Sequence, residues 1–426
     1  MRIFDNTGQP QYRDYVPWEE LPEGWSVEPF FPGYEYKNGV STYWGEEIGE
    51  GGYVYAEPGI HCNVALLDVA SMHPSSIVAE NLFGDYTQSF KDLLQTRVYI
   101  KHKEYDKAAK LFDGKLMPYL TDKDKAKQLS KALKIAINSV YGLTSAGFTN
   151  PFRDQRNIDN IVAKRGALFM VNLKHAVQSK GFTVAHIKTD SIKIPNATND
   201  IIKFVTDYGK EYGYNFEHEA TYEKMCLVND AVYIARFAKP EDCEKAYGYA
   251  PDECKEAYDP ESEEFPKRGW TATGTQFQVP YVFKTLFSNE EILFKDMCET
   301  KSVSSALYLD RNNTGNGDDY EFIGRVGLFC PMKAGFGGTL YRQTENKNTG
   351  EKGWANATGT KGWFWLEAEE VKNLHLEDKI DRGYYWKLCD EAKAAISNYG
   401  DVERFLADEP YGPPLESDVK KDVRGE

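Results

Sequence analysis

The chain reads as an α+β protein built from several substructures, and three stretches carry that reading. The first is Val64-Ala65-Leu66-Leu67-Asp68-Val69-Ala70-Ser71-Met72-His73-Pro74-Ser75. It is an apolar strand that delivers one carboxylate at its end, before a serine, a ring and a proline turn the chain outward. The second is a pair of basic amphipathic helices between about 87 and 143. The third is a strand–turn–strand, Phe182–Ile187 and Ile192–Ile194, whose tight turn holds Asp190. Taken alone, an aspartate closing an apolar strand is more often a satisfied turn residue, so the order and spacing of all three stretches must carry any functional meaning.

Length and composition narrow the classes. A chain of 426 residues suffices for two or three substructures with sizeable cores. The longest apolar runs fall far short of a membrane span, and the N-terminus lacks a charged-then-apolar signal pattern. Seven cysteines, widely spaced and without a C-x-x-C, argue for reduced thiols rather than a disulfide scaffold or a zinc ribbon. No H-x-x-x-H pair points to a His-ligated zinc site. The formal charge of −15 is unevenly spread. From Lys91 to Gly142 there are 12 Lys and Arg against 6 Asp and Glu, whereas Pro240 to Glu264 holds 10 acids against 2 bases. Local distribution decides a contact surface, so an acidic total does not exclude a polyanionic substrate.

Taken in order, residues 1–60 are rich in Pro, Gly, Tyr and Trp, with a strand at Gly52–Ala56 and a Gly-rich turn at Gly49-Glu-Gly-Gly52. From about 87 to 111 a helix is expected, with Phe90, Leu94 and Val98 as an apolar stripe and Leu93, Arg97 and Lys101 beside it. Asp113-Gly114 and Pro118 interrupt it, and Thr121 is the expected N-cap of a second helix over about 122–143. There Leu129, Leu133, Ile137 and Val140 make the buried face, while Lys134, Asn138 and Tyr141 align on another. A helix ends at Leu173–Lys180, residues 227–237 read as one strand, and 240–264 as a solvated acidic excursion. A helix is expected over Ser288–Lys301. Gly335-Phe-Gly-Gly338 lacks the spacing of a dinucleotide-binding loop, and the tail from Pro410 reads as loosely held.

In this order Asp68 with Ser71-Met-His-Pro-Ser75, then Lys134-Ile-Ala-Ile-Asn138-Ser139-Val-Tyr141-Gly142, then Lys188-Thr189-Asp190-Ser191 resemble motifs A, B and C of the family B DNA polymerases. The resemblance covers roughly residues 45–235, fades beyond, and in its wording looks most like bacteriophage enzymes. It implies a right-hand architecture: an N-terminal template-side segment at 1–60, palm at 61–88 and 143–240, fingers at 89–142, and a divergent thumb and C-terminal region at 241–426. The implied activity is template-directed addition of deoxynucleotides to a primer 3′ end, with two Mg²⁺ ions, replaceable by Mn²⁺, as cofactors. Asp68 and Asp190 are the implied metal ligands and catalytic residues, with the Val69 carbonyl as a further ligand. Arg97, Lys101, Lys134 and Asn138, with the backbone around Ser71 and Met72, are expected on the triphosphate. Tyr141, Gly142, Thr189 and Tyr233 are expected against template or primer, and Lys301, Arg325, Lys333, Arg342 and Lys361 against duplex backbone. Only 67 residues precede Asp68, too few for the exonuclease domain usually found upstream in this family, so proofreading is expected to be absent from this chain, and a separate exonuclease chain is one expected partner. Other replisome proteins are further expected partners, and the cytoplasm, that of a bacterial host for a phage protein, is the expected compartment.

The sequence departs from the family pattern in places that matter. Lys188 stands where motif C carries its first acid, and His73 where motif A carries a tyrosine that crowds the ribose 2′-hydroxyl, so sugar selection is expected to be looser. Asp230 and Ala231 replace the lysines of a primer-side Lys-Lys-x-Tyr element, leaving Tyr233, and Gly49 replaces the tyrosine of Tyr-x-Gly-Gly. Two other classes therefore stay open: a catalytically inactive relative that binds primer-template, or a primase-like or terminal-transferase enzyme with the same metals.

Overall fold

A computed structural model describes residues 31–154, 157, 160–247, 269–345 and 350–411, together with the backbone of 2–4 and 10–12. Most of the acidic excursion and the tail beyond Tyr411 lie outside the described residues. The fold is α+β, with helices and antiparallel sheet, divided into two compact units. One comprises Met1–Glu57 and His61–Tyr222; the other comprises Pro58–Ile60 and Glu223–Glu426.

The first unit opens with the strand pair β1 (Arg2–Phe4) and β2 (Pro10–Tyr12), then a small sheet of β3 (Tyr34–Lys37), β4 (Val40–Tyr43) and β5 (Glu46–Ile48). Its central antiparallel sheet uses β6 (Val54–Ala56), β7 (Gly59–Val69), β8 (His186–Lys188), β9 (Ser191–Ile194) and the first part of β10 (Phe216–Leu227), in the order β10-β7-β9-β8-β6. Helices α1 (Met72–Ala79) and α6 (Ile161–Ser179) pack together with the sheet. The contact is close because Gly166 lacks a side chain: a Cβ there would lie 2.7 Å from Met72 Sδ. A buried ion pair fastens the same two helices. Arg165 Nε donates to Glu80 Oε1 at 2.9 Å, Arg165 Nη2 donates to the Tyr212 carbonyl at 2.8 Å, and both ionic side chains are 0% exposed.

Between these elements run α2 (Thr87–Lys101), α3 (Tyr105–Ala109), α4 (Met117–Leu120) and α5 (Lys123–Thr144). The helix expected over 87–111 is broken after Lys101, where Lys103 adopts a left-handed φ of 60°. The buried line of α2 is Phe90, Thr96 and Ile100, while Leu94 and Val98 border a cleft, Leu94 also packing against the core. The N-cap of α5 is Asp122, not Thr121. Its carboxylate accepts from the backbone of Asp124 and Lys125 at 2.7 and 3.1 Å, satisfying two of the amides a helix start leaves open. Ala126, Leu133 and Ile137 are buried and Leu129 and Val140 half-buried, as the 3.6-residue period requires. Helix α7 (Asn199–Glu211) follows β9, capped by Thr198.

In the second unit the end of β10 is followed by β11 (Tyr233–Phe237), paired with β12 (Trp270–Thr273). The single strand expected over 227–237 is thus two, separated by a turn in which Val228 N–H donates to the Val232 carbonyl. No helix spans 288–301. A π-turn at Lys284–Ser288 and a short 3₁₀ turn at Phe294–Met297 lead into β13 (Glu299–Asp310). The buried carboxylate of Asp296 accepts from Lys284 Nζ and the Leu293 amide, which closes the chain on itself and ends the helical run. A five-stranded antiparallel sheet adds β14 (Glu321–Met332), β15 (Thr339–Glu345), β16 (Lys352–Asn356) and β17 (Phe364–Glu367), covered by the helix Arg382–Ser397. Among the described cysteines all six are free thiols, and no described helix is long and apolar enough to cross a membrane.

Candidate active site

The end of β7 and the β8–β9 turn set the site. Asp68 pairs with Ser191 in register, and Val69 N–H donates to the Asp190 carbonyl at 2.9 Å, so one ladder holds both aspartates side by side. The turn is Thr189-Asp190, with Thr189 at a left-handed φ of 56°. Thr189 N–H donates to the Tyr53 carbonyl at 2.9 Å. Gly52 lies against the turn, where an added Cβ would sit 3.0 Å from Thr189 Cγ2. The Gly-rich stretch before β6 therefore props the turn that carries Asp190.

These aspartates line a cleft of about 1070 Å³ within the first unit. Val69, Ser71, Met72, His73, Arg97, Lys101, Lys134, Asn138, Tyr141 and Thr189 line it too, so most residues singled out in the sequence meet in one place. Arg97 Nη1 donates to Ser71 Oγ at 3.4 Å, while Arg97 Nε is buried without a hydrogen-bond partner among the described residues. The His73 ring stacks on Tyr141 at 4.8 Å with a 13° interplanar angle, and its buried Nδ1 also lacks a partner. Tyr141 in turn donates to Asn160 Oδ1 at 2.9 Å, and Asn160 Nδ2 donates to the Glu50 carbonyl, tying α5 to the Gly-rich turn.

The Met72 side chain is 3% exposed and belongs to the core, leaving its backbone for any ligand. Two expected residues stand apart from the cleft. Gly142 is exposed with open space about it and does not line the cleft. Tyr233 belongs to the second unit, where its ring is 8% exposed. Also in that unit, Lys301 is spent on structure: it pairs with Glu299 at 2.6 Å and lies over the Trp365 ring. Lys333 donates to the Asp378 carbonyl, whereas Arg325, Arg342 and Lys361 are exposed.

Sequence reasoning missed Glu217 and Glu219, two cleft-lining acids on β10. Their signal was the alternation Phe216-Glu-His-Glu-Ala220, which puts both carboxylates on one strand face. It also missed Lys193, 3% exposed, whose Nζ lies 3.1 Å from His186 Nδ1.

Burial, then the neighbouring Asp190 and Glu219, push the Asp68 carboxyl up to about 7. Burial likewise raises Asp190 above the usual carboxylate range. Burial lowers His73, and lowers Lys193 to about 8 against the pull of Asp68. Two hard oxygen donors held against their mutual repulsion suit a divalent cation, whose charge would relieve the strain. Among the described residues no set of three His, Cys, Asp or Glu side chains is arranged for a metal, so further ligands would have to be carbonyl, water or phosphate oxygens, as Mg²⁺ tolerates.

The sign of the pH dependence follows. A carboxyl raised in the folded state favours folding while protonated, and that advantage is lost as pH rises through the folded value near 7. In chelator, Asp68→Asn should therefore stabilise the chain relative to the parent at pH 8 by on the order of 2 kcal/mol, and much less at pH 5. Thermal melts across that range check this; a pH-independent difference would speak against the ionisation.

No protein-family model matches this chain, and no curated protein does. Among solved structures, the family B DNA polymerase from the hyperthermophilic archaeon Pyrobaculum calidifontis is similar at 13% identity and a TM-score of 0.38. The match covers 87% of this chain and 49% of the archaeal one, so this chain aligns with about half the length of that polymerase.

Proposed function

We propose that the chain is a template-directed DNA polymerase of the family B kind, extending a primer 3′ end with deoxynucleotides. The observation that supports it best is the convergence of Asp68 and Asp190 with Arg97, Lys101 and Lys134 on a single cleft. On this reading the central sheet of the first unit is a palm, α2 and α5 are fingers, and part of the second unit is a thumb.

Mg²⁺ held by Asp68, Asp190 and the Val69 carbonyl would activate the primer hydroxyl and neutralise the leaving pyrophosphate. The chain's own residues do the positioning. The Arg97 guanidinium, which lines the cleft, grips a phosphate, while Lys101 and Lys134 add point charges and Asn138 an amide donor. The His73–Tyr141 stack forms the floor under sugar and base, held from behind through Asn160. Gly142 and Thr189 flank the primer-template path. Tyr233 is given to the primer side on motif resemblance alone.

A labelled primer, with and without a DNA template, tests this in Mg²⁺ and deoxynucleotides. Template-dependent extension is the expected result. Extension without template would select the terminal-transferase reading, and binding without extension the inactive one, which Lys188 beside Asp190 keeps in view.

His73 offers a sharper check. The imidazole leaves more room beside the sugar than a phenol ring would, so His73→Tyr should raise the preference for deoxy- over ribonucleotides by about tenfold in kcat/KM. An unchanged ratio would remove His73 from sugar selection.

A further inference from the structure

Lys101, one of the cations assigned to the triphosphate, is already engaged. Its Nζ lies 2.5 Å from Glu217 Oε2, and His102 Nε2 lies 4.0 Å from Glu217 Oε1. Glu217 comes from β10, whereas Lys101 and His102 come from the C-terminal end of α2, Lys101 lying 116 residues away in sequence. The Glu217 side chain is 24% exposed and lines the cleft that contains Asp68. A carboxylate in this position occupies the donors that a phosphate oxygen would use.

We infer that Glu217 is a built-in competitor of the polyphosphate: it neutralises the end of α2 in the free chain and is displaced when a triphosphate takes Lys101. The inference rests on the assignment of Arg97 and Lys101 to the phosphates. A carboxylate–ammonium pair at partial exposure is weak enough to be exchanged for a more highly charged anion. It also sets a threshold. Singly charged anions gain too little to break the clasp, while a tripolyphosphate meets Lys101 and the Arg97 guanidinium, which line the same cleft, together.

The test uses inorganic tripolyphosphate as the probe, titrated calorimetrically into the full chain in chelator, so that neither metal nor template takes part. Glu217→Gln keeps the shape and removes the charge, and should tighten binding by about fivefold to tenfold, somewhat beyond a lone exposed pair because repulsion of the ligand goes too. In a Lys101→Ala background the same change should give clearly less. Glu219→Gln, a neighbouring cleft acid, should also give less. Unchanged or weaker binding by Glu217→Gln, or an equal gain from Glu219→Gln, would overturn the inference. A chain that fails to extend primers, yet whose tripolyphosphate affinity responds to Glu217 through Lys101, would sink the polymerase reading and leave the clasp standing.

Discussion

Asn at either Asp68 or Asp190 is expected to lower single-turnover primer extension by at least about a thousandfold, roughly 4 kcal/mol of transition-state stabilisation. The two side chains are not interchangeable with their amides here. Asp68 ends β7 and Asp190 sits beside it in the β8–β9 turn, joined by the Asp68–Ser191 pairing and the Val69–Asp190 backbone bond, so replacing one leaves the ladder intact and removes only the charge. Both variants should bind primer-template as the parent does, which separates lost chemistry from lost folding. Retention of more than a tenth of the parent rate in either would mean that the reaction draws its charge from elsewhere.

The second large effect is on stability. Arg165→Ala should cost about 3–5 kcal/mol, because it strands the Glu80 carboxylate in a site with no exposure to water. The loss should reach the cleft as well, since Glu80 directly follows α1, whose first turn carries His73. Replacing both partners, Glu80→Leu with Arg165→Met, should recover most of the stability, because an apolar pair of similar volume avoids the desolvation cost. Chemical denaturation of the two variants checks the contrast; equal losses would mean that packing, not charge, governs the site.

How far the sequence carried these conclusions depends on the range of the interactions. The aspartate ending an apolar strand, the basic face of α5 and the Thr189-Asp190 turn are local patterns, and they meet in one cleft. The break after Lys101 was not legible, because it hangs on Lys103 adopting a left-handed conformation that no glycine announces. The helix expected over 288–301 failed for a tertiary reason: buried Asp296 bonds Lys284 and the Leu293 amide, and the chain leaves that turn as a strand. Leu94 and Val98 kept helical spacing yet border the cleft, Leu94 while also packing on the core, since a periodic stripe does not say how its face divides between core and ligand space. Lys301 read as a surface cation but is spent on Glu299 and Trp365, partners fixed only by the folded sheet. Glu217 and Glu219 were visible as strand alternation, but their position opposite α2 was not.

The most direct single measurement is Mn²⁺ binding at pH 8, followed by the loss of its free electron-paramagnetic-resonance signal in the parent and in Asp190→Asn, with a non-hydrolysable deoxynucleoside triphosphate present. The expected result is saturable binding by the parent, weakened at least tenfold in the variant and also weakened in the parent at pH 6, where Asp68 holds its proton. Equal binding by parent and variant would contradict the claim that Asp68 and Asp190 together hold the cation for nucleotidyl transfer.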